Sequence, residues 1–373
     1  MPPSNAPEAD SEGNPTEQYA TLYEHEIWWR DRQQWLEERG YMLRPRYRPN
    51  WKPSWEGKDV SPYRFEDAIS TLYHNLMDAT RISDGKVVML KKINDATHPY
   101  ELQINRLFST EPIASHPSNH CARAYEILDV PGETALHILV MPFLRPFNRP
   151  AFETVGEMVD CLQQVFEGLQ FMHQCHIAHR DCMDLNIMMD PTPLYPNLYH
   201  PRKILLSMDL KSSAKHYTRT RRPTKYYFID FGLSGIYDPA KGPAVDYPVL
   251  SGDKTVPEYR SNSRNPHQVY PTDVYYIGNM VRESFLQTYQ NVDFLRPLVG
   301  DMVQDDPSKR PSMDEVVRRF AEIQRSLSWW KLHSRLVPQG ETGTDKIYRS
   351  TKHAFRTIGY IATLRSAVPS VAK

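Results

Sequence analysis

The chain has 373 residues, 40% hydrophobic and 24% charged, with 45 basic and 45 acidic side chains and a formal net charge of zero. That length and apolar content can bury a large core in one domain plus extensions, and the balanced charge argues for no particular partner, nucleic acid included. Four cysteines without a CxxC pair, no secretory leader and no apolar run of bilayer length predict a soluble intracellular protein with reduced thiols, cytoplasmic and/or nuclear.

In chain order, residues 1–16 are rich in Pro, Ser, Glu and Asn and predict a disordered tail. From Glu17 to Arg39, Leu22, Trp29 and Leu36 recur at seven-residue intervals ahead of Gly40, which predicts a helix inside an aromatic-rich extension, 17–57. Trp28, Trp35, Tyr41, Tyr47 and Trp51 line or follow that helix. Packing on the main domain is favoured over partner docking, because large aromatics usually signal burial.

A main domain is predicted over 58–328. Its β-rich part runs from near Tyr63 to about 144, with strands at Lys86–Lys91 and Leu136–Met141. Between them His98-Pro99-Tyr100-Glu101 opens a helix, with Pro99 suited to the first helical position. The part after 144 reads as helical. Thr154-Val155-Gly156-Glu157 is read as a capping box, followed by Met158, Val159, Leu162, Val165, Phe166, Leu169 and Met172 on one face. Ser312-Met313-Asp314-Glu315 starts another helix, with Val316, Phe320, Ile323 and Leu327 inward. Residues 329–373 form a basic tail: from Lys346 onward it has six Lys or Arg and no acidic residue, with Phe355, Ile358, Ile361 and Leu364 at helical spacing. Such a helix over 346–368 can make a weak contact with anionic membrane or a partner groove; the plainer reading is a helix packed on the domain.

The chemistry concentrates in Ala178-His179-Arg180-Asp181-Cys182-Met183-Asp184-Leu185-Asn186, and in Asp230-Phe231-Gly232 downstream. Apolar runs Ile187–Met189 and Tyr226–Ile229 flank the intervening stretch. His-Arg-Asp with Asn five residues after the Asp, then Asp-Phe-Gly after a β-rich run, resembles the catalytic core of the eukaryotic protein kinases. The resemblance covers about residues 63–327. It implies an α+β, two-lobed protein-kinase-like fold, with a small β-rich N-terminal lobe and a larger helical C-terminal lobe.

The resemblance also implies ATP and Mg²⁺ as cofactors and a role for each residue. Asp181 would accept the proton of the attacking hydroxyl, and Asn186 and Asp230 would hold Mg²⁺. Lys91 would contact the phosphates, Glu101 would pair with Lys91, and the backbone of Leu144 would bond the adenine edge. Val256-Pro257-Glu258 would close the activation segment and pair with Arg310, while Asp273 would hold the catalytic-loop backbone. Arg180 implies control by phosphorylation, with Tyr247, Ser251 and Thr255 as acceptors. His120 with Cys121, and Cys175 with His176, lack a second pair for a metal and read as structural.

Four features depart from the family pattern. No glycine lies between Gly57 and Gly85, so the loop that lets backbone N–H groups approach phosphate is missing. Met89 stands where a small residue usually covers the adenine. Met183 replaces a Lys that would serve the transferring phosphate. Asn186 and Asp230 are 44 positions apart, and Asp273 and Arg310 only 37.

The longer interval implies an insert, about 191–224. It carries Arg202, Lys203, Lys211, Lys215, Arg219, Arg221 and Arg222, with Lys225 beside it, against a single Asp209. It is read evenly as a recruiter of acidic or phosphorylated protein substrate and as a solvated insertion. The shorter interval implies that the helix used for docking protein substrates is reduced. The aromatic N-terminal helix, the glycine-free loop, His-Arg-Asp-Cys-Met and Tyr-Thr-Arg-Thr-Arg-Arg together are similar to an expanded kinase-like family of mushroom-forming fungi. The resulting expectation is a Mg-dependent kinase acting on Ser/Thr hydroxyls of a protein substrate. A pseudokinase that binds nucleotide or a partner is the runner-up, and a small-molecule kinase the third reading.

Overall fold

The computed structural model describes residues 19–71, 73–249, 252–260 and 265–370, which form a mixed α+β chain of two compact units. The first unit holds the chain up to Lys91 together with Asn197–Ala214; the second holds Lys92–Pro196 and the chain from Lys215 onward. The predicted disordered tail, 1–16, lies outside the described residues.

In the first unit the single helix expected over Glu17–Arg39 is split. Helix α1 (Glu24–Arg30) ends where Arg30 folds onto its neighbour Asp31, and α2 (Gln33–Glu38) restarts after Arg32. The seven-residue spacing still marks the buried side, since Trp29 and Leu36 are fully buried. Gly40 ends α2 at φ +91, a conformation that only glycine adopts without strain.

The aromatic extension does more than pack. Tyr41–Leu43 forms strand β1, antiparallel to β2 (Leu76–Arg81), which in turn pairs with β3 (Val87–Asn94). Residues 44–75 join β1 to β2 through three single turns of 3-10 helix. A buried ion pair, Arg46 Nε to Glu26 Oε1 at 2.9 Å, ties that connection to α1, and the Tyr47 hydroxyl donates to the same oxygen.

Part of the predicted insert belongs to this unit. His200 is buried, its Nδ1 accepts the N–H groups of Arg202 and Lys203 at 3.1 Å each, and Arg202 Nε donates to the Ser70 carbonyl. With Nδ1 occupied as an acceptor, the proton of a neutral ring sits on Nε2, which lies 3.6 Å from Glu66.

The second unit begins within β3. Helix α3 (Glu101–Ser109) is followed by the antiparallel pair β4 (Glu126–Asp129) and β5 (Leu136–Pro142), and Ile93, Leu102 and Leu139 form a small core among them. After the two-residue β6 (Arg145–Pro146) comes α4 (Val155–Gln174), with 14 residues buried. Thr154 caps α4 as expected by accepting the Glu157 N–H. The reciprocal half of the capping box is absent: the Glu157 carboxylate accepts from the Glu153 N–H and from Thr220 instead. The Thr154 backbone meanwhile bridges Arg335.

Strands β7 (Ile177–Ala178), β8 (Ile187–Met189), β9 (Tyr226–Phe228) and β10 (Gly235–Ile236) frame the motif loops, pairing β7 with β10 and β8 with both β6 and β9. They are followed by β11 (Val245–Asp246), α5 (Pro257–Arg260), β12 (His267–Gln268) and α6 (Val269–Val281), which runs on as a π turn, Arg282–Leu286. Before Arg310 come only single 3-10 turns and the seven-residue α7 (Arg296–Met302), in line with the short interval.

Helix α8 (Met313–Ser326) packs on α4 through Phe320 and Phe166, whose rings meet edge-on at 5.1 Å. Helices α9 (Trp329–His333) and α10 (Gly343–Ala362) complete the chain. Among the described residues, no helix is long and apolar enough to cross a membrane. All four cysteines are free, and no group of three His, Cys, Asp or Glu among the described residues is arranged around a metal.

Candidate active site

The loop between β7 and β8 is held from below by one carboxylate. Asp273 is fully buried on α6, with Oδ2 accepting the His179 N–H at 2.8 Å and Oδ1 the Arg180 N–H at 2.7 Å. His173 Nε2 lies 3.0 Å from Oδ2. A buried carboxylate needs such donors, and here they are the backbone of the loop itself, so charge and loop shape secure each other. Arg180 is held at φ +65, a left-handed conformation that a non-glycine residue keeps only when its surroundings over-determine it.

His179 is fully buried, and burial lowers its pKa below the usual imidazole value. It supports both motif segments: Nε2 approaches the Ile229 carbonyl at 3.1 Å, and its own carbonyl accepts the Ser234 hydroxyl at 3.0 Å. Phe231 is buried between His179 and Phe108, with ring centroids 5.6 and 6.1 Å away. Aromatic packing therefore sets the direction in which Asp230 leaves the chain, at φ +63.

Asp181 and Asn186 meet directly. Asn186 Nδ2 donates to Asp181 Oδ2 and to the Asp181 carbonyl, both at 2.8 Å. The Asn186 carbonyl accepts the Ile229 N–H at 3.0 Å, which brings the chain just before Asp230, two residues beyond the end of β9, to Asn186. Burial raises the pKa of Asp181 to about 7; the Asn186 bond opposes the shift, and the charges of Asp230, Asp273 and Asp253 add to it. Its Oδ1 is buried without a hydrogen-bond partner among the described residues.

Glu101 reaches the same region. It opens α3 and is 2% exposed. A Cβ built on Gly232 would stand 3.2 Å from Glu101 Oε2, from Asp230 Oδ1 and from His98 Nδ1, so three polar side chains converge on the glycine of Asp-Phe-Gly. His98 Nδ1 also approaches the Gly232 carbonyl at 2.9 Å. The sequence marked the His98–Glu101 stretch as a helix start and Glu101 as a site residue, but no spacing signal links His98 to Gly232.

The structure thus brings together Asp181, Asn186, Asp230 and Glu101. Leu144 lies between β5 and β6 of the same unit, half-buried, and its backbone N–H takes no partner among the described residues. Lys91 belongs to the first unit, where it ends that unit's part of β3 opposite Leu76 and is 7% exposed; Lys92 is half-buried.

Two sequence expectations change. Arg180, read as awaiting a phosphate, already has a carboxylate partner: Nη1 lies 2.9 Å from Asp246 Oδ2 and Nη2 donates to the Tyr247 carbonyl. Tyr237 donates to the same Asp246 oxygen at 2.9 Å. Of the three proposed acceptors, Tyr247 is exposed, Thr255 contacts Tyr275, and Ser251 lies outside the described residues. Because the Arg180–Asp246 pair is partly exposed, Asp246→Ala should lower stability by no more than about 1 kcal/mol. It should still speed amide hydrogen exchange at Val245–Tyr247, and unchanged exchange there would show that the pair does not order the segment.

The second change concerns the insert. Arg219 is 2% exposed; it donates to the carbonyls of Phe147 and Pro150 and lies 4.1 Å from the Phe152 ring centroid. It serves the packing of the second unit and is removed from any substrate-facing surface.

Gly252 escaped the sequence reading altogether. Its backbone, at φ +94, comes so close to Asp181 that a Cβ there would stand 2.5 Å from Oδ1, so only glycine fits over this carboxylate. Comparison of the chain with protein-family models and with curated proteins gives no match.

Proposed function

We propose that this chain is a protein kinase, in which the ATP γ-phosphoryl group passes to a Ser or Thr hydroxyl of a protein substrate. The observation that carries the reading is the joint placement of Asp181, Asn186 and Asp230 on loops secured by Asp273 and Phe231, beside Glu101. The donor set suits a hard cation. A carboxylate oxygen without a partner among the described residues sits where three further carboxylates concentrate negative charge, and such a site is relieved by a divalent ion with oxygen ligands. Asn186 and Asp230 would hold Mg²⁺, and Leu144 the adenine through its N–H. Mg·ATP, when bound, supplies the phosphoryl group and the charge that neutralises it.

Asp181 is the base of this scheme. Its Oδ1 takes the hydroxyl proton while the Asn186 bond on Oδ2 fixes the orientation of the carboxylate. A pKa near 7 favours this role, because the group must be deprotonated to act yet basic enough to draw the proton. Activity at low substrate should accordingly rise with pH through about 7. The likeness to the two-lobed kinase fold and to the fungal group belongs to this same proposal.

One observation favours a second reading, a nucleotide- or partner-binding module. Gly252 closes over Oδ1, so a hydroxyl reaches the base only when that segment moves. Phosphotransfer from Mg·ATP separates the two. Asp181→Asn should lower it at least about a hundredfold, and Asp230→Asn should abolish it. Transfer unaffected by both substitutions would remove the site assignment. A nucleotide-dependent thermal shift without any transfer would leave the binding module.

A further inference from the structure

Helix α10 is docked by its polar side. Ser350, His353, Thr357 and Tyr360 recur three or four residues apart on one face. Tyr360 is 9% exposed with its hydroxyl bonded to Thr218, Ser350 Oγ accepts the Arg335 Nε–H, and Arg356 pairs with Glu153. A neighbouring, solvent-facing stripe is apolar and open: Ile347, Phe355 and Ile358 are 71%, 73% and 64% exposed, with Ala354 and Ile361 between and beyond them. A helix that only completes a globular core turns the other way, so this orientation needs an external apolar phase.

Charge indicates which phase. The chain as a whole is neutral, yet α10 carries Lys346, Arg349, Lys352 and Arg356 against one acid, Asp345, and Arg365 follows just beyond it. Arg349 and Arg356 face in-chain carboxylates, whereas Lys346, Lys352 and Arg365 take no ion-pair partner among the described residues. At about 100° per residue, Lys352 falls on the flank of the apolar stripe away from the docked side, where a long side chain can extend toward headgroups while the stripe lies in the interface; Lys346 lies one turn before Ser350 and is exposed at the start of the helix. Two copies meeting through this face would instead bring like charges together.

We propose that α10 seats the protein on an anionic bilayer surface. The apolar stripe enters the headgroup boundary, the exposed basic side chains meet acidic lipid, and the bonds of Ser350, Arg356 and Tyr360 hold the stripe outward. The inference stands apart from any catalytic activity.

Co-sedimentation of the full chain with phosphatidylcholine vesicles, with and without phosphatidylserine, tests it. Binding is expected only with phosphatidylserine and should weaken as salt rises. Lys346→Gln with Lys352→Gln should lower partitioning roughly twenty-five-fold, taking about fivefold for each basic side chain near such a surface. Phe355→Asp with Ile358→Asp should abolish it while leaving the thermal midpoint in place, since both side chains are exposed. Three outcomes would overturn the proposal: no binding to phosphatidylserine vesicles, binding indifferent to Phe355 and Ile358, or a dimer in free solution that the Asp pair dissolves, which would assign the face to a second copy.

Discussion

Replacing Arg310 by Met should destabilise the second unit by about 3–5 kcal/mol, because the substitution leaves a carboxylate buried without its cation. Arg310 is the centre of a closed set of contacts. Its Nη1 and Nη2 donate to the two oxygens of Glu258 at 2.7 Å each, Nη1 also bonds the Pro271 carbonyl at 3.0 Å, and Nε bonds the Gln304 carbonyl at 2.8 Å. The Tyr275 ring centroid lies 4.9 Å from the guanidinium. The side chains of the pair are 0% and 8% exposed, so solvent does not screen them. Burial alone would raise the Glu258 pKa, but the bonds and charge of Arg310 hold it below the usual carboxylate value.

The sign follows from that depression. The pair's contribution is fully present above the unfolded Glu pKa of 4.5 and fades as pH falls through the lower folded value. Urea unfolding at neutral pH measures the loss. Adding Glu258→Met to the Arg310→Met variant should restore part of it, because two apolar groups of similar volume leave no unpaired charge. Equal midpoints for the single and double variants would show that the cost is not the stranded carboxylate.

Asp160 carries the second large effect, with the opposite sign. It lies on α4, is 6% exposed, and burial pushes its pKa up to about 8, against the opposing bond from Gln164; the charges of Glu157 and Glu167 push the same way and Arg219 opposes. A raised pKa means that stability is fullest below the unfolded value of 3.8 and is lost as pH rises through about 8. At about 1.4 kcal/mol per pH unit, the loss reaches about 4 kcal/mol by pH 7. Asp160→Asn keeps the shape and the oxygen that Gln164 bonds, so it should be the more stable protein at pH 7 by a few kcal/mol. Its stability should also vary less between about pH 4 and 8. Parallel stability–pH curves for parent and variant would overturn the assignment.

The local rules carried the sequence a long way. The capping serine of α8, the buried face of α4 and the strands around the motif loops all follow from periodicity and end chemistry. The pairing of Glu258 with Arg310 and the hold of Asp273 on the loop between β7 and β8 were legible through motif order. What failed did so at long range. β1 was hidden because a three-residue strand beside Gly40 has no period of its own, and only its register against β2 defines it. The split of the first helix was hidden because the same seven-residue spacing suits one helix or two.

Composition also misled at single residues. Arg219 counts as one more cation in a basic insert, but carbonyls from residues 147 and 150 and the ring of Phe152 surround it in space. Likewise Asp246 has no motif to distinguish it, and its meeting with Arg180 is visible only once β11 is placed.

The sequence by itself therefore determined which residues hold proton-accepting and metal-capable groups, since residue type and spacing along one chain suffice for that. Only the tertiary structure decided how those groups are tuned and covered: that Asn186 orients Asp181, that Glu101 and His98 converge on Gly232, and that Gly252 lies over the carboxylate. It also decided that α10 turns its apolar side outward, because an amphipathic pattern defines two faces but not which one meets the protein. These are relations between segments far apart in the chain, and burial, charge and access arise from such relations.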